Sequence, residues 1–449
     1  MTKQGKEMDM LQGGLAGKLI MFALPLAFSS ILQQLFNSAD VAVVGRFAGS
    51  SALAAVGSCV AIVGIFVNLI VGLSVGPNAA LASLIGQKKR ERIPEMLHTI
   101  MMFGILLGVG LMVIGLLFAR LILEVSGTPD SVMGQALVYI RIYLCSIPFM
   151  TVYNFGAAIL RSYGDTRRPM YYLIVSGTVN VLLNLVFVIG FGMGVAGVAI
   201  ATWISNVIST GMVLYHLRKR QDEFQLRVKQ LRIEKKSLIK VLQIGVPAGI
   251  QGTIFSISNV FIQSGINSFG ENAIAGSSLA LNFEYFTYDI ANAFAQAAVT
   301  FTSQNYGASN LKRCRKIFWL CMLFGIGFTE VLSIIFMIWD DFFVSIYTIS
   351  PAVAVFGLIR MHHVCSLEGL TATYEVESAA LRGMGKSLEP AIFTILGTVV
   401  FRLIWLFTVF RWIPTYSMLM NVYVASWIFT GVSIFIVYIC HMKKVEKRG

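Results

Sequence analysis

Ten ionisable residues stand inside stretches of otherwise apolar sequence. Seven are acids (Asp40, Glu284, Asp289, Glu330, Glu368, Glu375 and Glu377) and three are bases (Arg141, Arg360 and Arg402). On insertion scales a charge costs about 2.5–3.5 kcal/mol at the centre of a bilayer, so each is a candidate for holding a proton, a cation or a charged solute. Asp40 has the richest setting. Gln33, Gln34, Asn37 and Ser38 precede it, and positions 33, 37 and 40 share one helical face. A lone carboxyl among neutral amides suits reversible proton or cation binding, with Gln33, Gln34 and Asn37 placed to meet a solute. Pro25, earlier in the same run, removes a backbone donor and supplies a hinge. Glu284 and Asp289 flank Tyr285, Phe286 and Tyr288, and acids beside aromatic faces suit an organic cation. His362, His363, Glu368, Thr371, Thr373, Tyr374, Glu375 and Glu377 give another run a polar, cavity-lining face. Adjacent histidines diverge by about 100° on a helix and no H-E-x-x-H spacing occurs, so neither a metal nor another cofactor is expected. No P-loop pattern appears either, which leaves little room for an enzyme.

The elements that carry these residues follow from composition. The chain has 449 residues, of which 56% are hydrophobic and 13% charged. Its mean hydropathy is +0.75. A soluble chain carries about 25% charged residues, so this is an all-α integral membrane protein. The six cysteines include no Cys-x-x-Cys pair and read as small apolar fillers. A spanning helix needs about 20 apolar residues. Twelve such runs occur, near 17–43, 51–80, 96–119, 132–159, 169–190, 195–217, 238–265, 273–300, 316–339, 352–380, 390–410 and 416–441. Continuous rather than alternating apolarity excludes a closed barrel.

The net charge of +13 has a topological meaning. With the N-terminus inside, 29 of the 35 Lys and Arg residues fall in the tails and even-numbered loops. Only Arg46, Arg120 and Arg411 fall on the other side. That asymmetry predicts that both termini are cytoplasmic. The basic loops lie near anionic lipid, and no nucleic-acid partner is expected. Lys18 before Leu19–Phe28 imitates a secretory signal, but the apolar run continues to about residue 43 and reads as the first spanning helix.

The chain also repeats itself. Leu160-Arg161-Ser-Tyr-Gly164-Asp-Thr166-Arg-Arg-Pro169 returns 221 residues later as Leu381-Arg382-Gly-Met-Gly385-Lys-Ser387-Leu-Glu-Pro390. Pro25 and Asn37 meet Pro247 and Asn259, Gln87 meets Gln304, and Ala201-Thr-Trp-Ile meets Ala425-Ser-Trp-Ile. Glu375 falls opposite Asn154. The expected domains are a six-helix lobe over 1–217, a cytoplasmic linker over 218–240 and a second six-helix lobe over 241–449. Six is even, so the lobes share one orientation and are related by a pseudo-two-fold axis along the membrane normal. Duplicated parallel lobes are the mark of alternating access around a central solute site.

Particular stretches also carry a resemblance. Asn37-Ser-Ala-Asp40-Val-Ala-Val-Val-Gly45-Arg-Phe-Ala-Gly49, followed by Ser51-Ala-Leu-Ala-Ala-Val-Gly57, closely resembles the first-helix signature of the multidrug and toxic compound extrusion (MATE) family. Gly72-Leu-Ser-Val-Gly76, Gly194-Val-Ala-Gly197-Val-Ala-Ile-Ala-Thr202 and Gln304-Asn-Tyr-Gly-Ala308 resemble it too, and the likeness covers essentially the whole chain. It implies a twelve-helix, two-lobed exporter, monomeric, driven by a proton or sodium gradient and acting on small organic cations. It also implies that Asp40 is the cation-linked group, with Asn154, Asn180, Asn184 and Thr202 as partners. Asn184 stands where the archaeal and DinF-type pattern has aspartate, which favours a proton over sodium. No acid lies between Pro247 and Ile266, so the second site of the NorM-type branch is not carried over. A flippase for lipid-linked saccharide is the alternative on such a scaffold, and a membrane-embedded enzyme a more distant one.

Overall fold

The computed structural model describes residues 8–447; Lys3, Lys6 and Arg448, counted above, lie outside them. Helices account for nearly all of this stretch. They are α1 (Leu15–Val43), α2 (Ser50–Gly86), α3 (Ile93–Val125), α4 (Asp130–Ser162), α5 (Arg167–Asn184), α6 (Gly194–Lys219), α7 (Lys235–Asn267) and α8 (Glu271–Gly307). Then come α9 (Leu311–Ile338), α10 (Asp340–Tyr347), α11 (Pro351–His363), α12 (Gly369–Gly383), α13 (Leu388–Ile395), α14 (Phe401–Phe407), α15 (Val409–Trp412) and α16 (Tyr416–Glu446). Each apolar run of the sequence falls on this series, the tenth on the broken pair α11 and α12 and the eleventh on α13 and α14. Among the described residues ten helical stretches are long and apolar enough to cross a membrane. The other two are α8, as long as α2 but more polar, and the broken tenth, and these two carry five of the seven acids.

The chain divides into two compact units. One comprises Phe28–Gly245, and the other Asp9–Ala27 with the residues from Val246 onward. Apolar spacing explains why the first turns of α1 belong to the second unit. Leu15, Leu19, Phe22 and Leu26 form a buried stripe, and the Phe22 ring meets Phe301 edge-on at 5.5 Å. The carbonyl of Met10 accepts from Asn305 Nδ2 at 3.2 Å and from Arg313 Nε at 3.1 Å, fixing the approach to α1. The first turns of α7 are held in the other unit by close backbone approach. A Cβ on Gly245 would sit 2.7 Å from the Leu73 carbonyl oxygen, and one on Gly76 would overlap that of Val241. Gly104 and Gly108 likewise bring α3 against Phe155 and Pro148 of α4.

Three helices lose their regular pitch. Single π-helical turns occupy Val44–Ala48 after α1, Leu185–Gly190 after α5 and Leu396–Val400 before α14. Such turns re-aim the residues beside them and recur at functional sites. The first begins one turn after Asp40 and the second directly after Asn184, and the two pack against each other. The tenth span breaks at Val364–Glu368. There the Glu330 carboxylate on α9 accepts the first free backbone N–H of α12, that of Gly369, at 2.9 Å. A side chain at Gly369 would collide with that carboxylate. Glu330 is thereby accounted for as a helix cap.

Candidate functional site

In the first unit the chain brings Asp40 to α5 by leaving room for it. Phe36, one turn before Asp40, lies where a side chain at Gly177 would be, so α1 can approach α5 closely. Gly177, Asn180 and Asn184 follow one another at i, i+3 and i+7 and face α1 together. Asn184, fully buried, donates through Nδ2 to Asp40 Oδ1. The Asn180 amide satisfies its neighbours with its nitrogen toward the carboxylate. In that assignment Nδ2 donates to Asp40 Oδ1 at 2.8 Å and Oδ1 accepts from the Thr202 backbone N–H at 3.2 Å. Thr202 Oγ1 donates to the Val198 carbonyl of its own helix at 3.0 Å. Asn184 Oδ1 is buried and has no hydrogen-bond partner among the described residues.

Asp40, Asn180, Asn184 and Thr202 therefore converge. Asn154 does not join them: its Nδ2 donates to the Met150 carbonyl one turn back on α4, at 2.9 Å. Gln33 and Asn37 are exposed and Gln34 partly so, on the stretch of α1 leading to Asp40. Two residues escaped the sequence reading. Tyr139 and Tyr143 of α4 stack with ring centroids 6.2 Å apart and lie within electrostatic range of Asp40. Their i, i+4 spacing in an apolar run was the available signal, and it is equally the signature of packing.

The second unit sorts its acids by partner. Glu284 is 6% exposed and receives Arg360 Nε and Nη2 at 2.6 and 2.8 Å, while Arg360 Nη1 donates to Ser277 Oγ at 2.6 Å. The guanidinium fully engages that carboxylate, so Glu284 is a structural partner in this conformation. Arg402 donates to Ser426 Oγ at 3.1 Å and Asn259 Oδ1 at 3.2 Å. The Tyr423 ring lies 5.2 Å from the Arg360 guanidinium and 4.7 Å from that of Arg402. Glu375 accepts from Tyr288 Oη at 3.1 Å. Glu368 and Glu377 are buried, each with one carboxylate oxygen unpartnered. Asp289 is different. It is partly exposed and makes no hydrogen bond or ion pair among the described residues, and Tyr285, one turn away on α8, is 43% exposed. Among the described residues no group of three or more metal-ligating side chains converges. His362 meets Asp340 at 2.8 Å and His363 Nδ1 faces the Ile359 carbonyl.

Two duplicated helical units, with an aspartate–diasparagine cluster in one and a buried Glu284–Arg360 pair in the other, define a polytopic transporter scaffold. The chain belongs to the MatE family, whose profile matches it twice, over residues 25–186 and again over 247–408. It is 30% identical over 387 residues to a Bacillus subtilis protein named "Probable multidrug resistance protein YoeA", covering 84% of this chain and 82% of that one. It is 25% identical to "Probable multidrug resistance protein NorM" of Thermotoga maritima, over 86% of this chain and 84% of that protein. Its fold matches a solved structure described as the outward-facing conformation of a multidrug resistance MATE family transporter, with a TM-score of 0.92 at 22% identity. That match covers 99% of this chain and 100% of the other.

Proposed function

We propose that the protein is a secondary active multidrug exporter of the bacterial plasma membrane, with both termini cytoplasmic, in which a proton entering through Asp40 drives an amphiphilic organic cation out. The orientation of two amides carries the proton reading. Asn184 directs its N–H group at Asp40, and Asn180 does the same in the amide assignment that satisfies its neighbours, whereas a sodium ion requires oxygen atoms turned inward. Donors aimed at one carboxylate stabilise its charged form, and protonation removes the reason for that arrangement. The cluster then has two packings, and a solute that prefers one of them is coupled to the proton by linkage. Pro25 weakens α1 near the point where the chain passes from one unit to the other, between Ala27 and Phe28. A change at Asp40 can therefore be taken up as a bend in that helix.

Cation selectivity rests on Asp289 and Tyr285, an acid without a bonded partner beside an exposed aromatic face. Gln33, Gln34 and Asn37 supply neutral polar contacts in the first unit, and Glu375 a second acid. The test is efflux of a fluorescent organic cation from vesicles reconstituted with the purified protein, under a proton gradient alone and a sodium gradient alone. Efflux under the first only is expected; efflux driven equally by sodium alone would reject the proton assignment.

A further inference from the structure

On the face that the charge asymmetry assigns to the cytoplasm, α3 and α7 meet the inter-lobe linker around a recess of about 160 Å³. Arg92, Lys236 and Lys240 line it together with Glu95, Glu234 and Ser237. The acids of this recess are already engaged. Glu234 Oε2 accepts the Ser237 backbone N–H at 2.6 Å, capping α7, and Glu95 Oε1 accepts from Ser237 Oγ at 3.2 Å. Backbone N–H groups of Ser237 and Lys236 hold the Glu234 carboxyl below its usual range, which keeps it a satisfied anion. The three basic side chains are exposed, and none forms an ion pair among the described residues.

The linker beside the recess is pinned to the start of α3. His98 Nε2 accepts the Arg227 N–H at 3.0 Å, and Thr99 Oγ1 accepts the Glu234 N–H at 3.1 Å while donating to the Arg232 carbonyl. Beside the basic groups the same stretch exposes apolar side chains. Ile239 is 43% exposed and lies three residues from Lys236 on the same helical face; Ile233 is 43% and Val228 62% exposed. A free phosphate would leave those apolar surfaces in water. A phospholipid covers both, its phosphate among the cations and its glycerol and acyl carbons against the isoleucines.

We infer that this recess is a binding site for an anionic phospholipid headgroup of the cytoplasmic leaflet, with Arg92, Lys236 and Lys240 as phosphate ligands and Ile239 as the apolar contact. The site is separate from the transport reading and stands or falls without it. The test measures phosphatidylglycerol bound to the purified full-length protein in phosphatidylcholine nanodiscs of graded phosphatidylglycerol content. It compares wild type with Arg92→Gln/Lys236→Gln/Lys240→Gln and with Lys312→Gln/Lys316→Gln/Lys444→Gln, which removes the same charge elsewhere on that face. Neutralising three phosphate ligands is expected to weaken binding on the order of a hundredfold, with the control triple close to wild type. Ile239→Asn is expected to weaken lipid binding while the protein remains monodisperse. Equal losses in the two triples would mean diffuse attraction and overturn the site. Inorganic phosphate displacing the lipid at millimolar concentration, or Ile239→Asn without effect, would make it a free-anion site and overturn the lipid assignment.

Discussion

Asp40 and Glu284 look alike in the sequence, each an acid within an apolar run, yet the structure gives them opposite settings. Asp40 receives only neutral donors, from Asn180 and Asn184, so nothing fixes its charge. Glu284 is clamped by Arg360. No spacing rule could have found that pair, because its members lie on α8 and α11, 76 residues apart in the chain. Which acid meets which base is decided by helix packing. Breaking a buried pair by removing one partner costs about 3–5 kcal/mol, since the other charge remains buried. Glu284→Gln is accordingly expected to lower the melting temperature of the purified protein, and Glu284→Gln/Arg360→Met to regain most of the loss. If Glu284→Gln melts like wild type, the pair does not hold the fold. Asp289 has no such partner to abandon, so Asp289→Asn is expected to leave stability unchanged. It is expected to weaken export of organic cations while sparing an uncharged analogue, which paired efflux assays would show. Adding a carboxylate beside Asp40 by Asn184→Asp supplies a second anionic oxygen ligand, and sodium-dependent efflux is the expected gain.

Helices position these groups through a few places where side chains are missing or the pitch changes. Gly177 reads in the sequence as one glycine among 41, and only the packing of Phe36 against it shows why α1 reaches Asn184. Gly177→Leu is expected to push α1 away and abolish most gradient-driven efflux, with Gly177→Leu/Phe36→Ala restoring part of it. Efflux at the wild-type rate in the single variant would mean the contact is dispensable. The break between α11 and α12 was equally hidden. The run 352–380 reads as one span in the sequence, and its interruption depends on Glu330 of α9 capping Gly369. The L-R-x-x-G motif, in contrast, was plain from the sequence and has a counterpart in space. Arg161 Nη2 reaches Ser74 Oγ at 3.5 Å and Arg382 Nη2 reaches Gln251 Oε1 at 2.7 Å, each within its own unit.

At the level of the complete chain, composition and repetition carried most of the architecture, because both are summed over many residues and tolerate local irregularity. The twelve runs reappear as the helical series, and the repeat reappears as the double match of one family profile. The passage of α1 between units was not evident, since Leu15–Val43 is one uninterrupted helix and only its burial pattern changes along its length. Orientation is open to direct labelling. In intact cells Lys229→Cys is expected to resist an impermeant thiol reagent and Ser50→Cys to react with it; the reverse pattern would invert the topology. Asp40→Asn keeps the shape of the cluster and removes its titration, which makes it the most direct probe of coupling. The decisive measurement is uptake of an organic cation into everted vesicles energised by a proton gradient, with equilibrium binding of the same compound measured on the purified variant. The expected result is binding within a few-fold of wild type with gradient-driven uptake at the background of empty vesicles. Uptake by Asp40→Asn at the wild-type rate would contradict the assignment of Asp40 as the coupling residue.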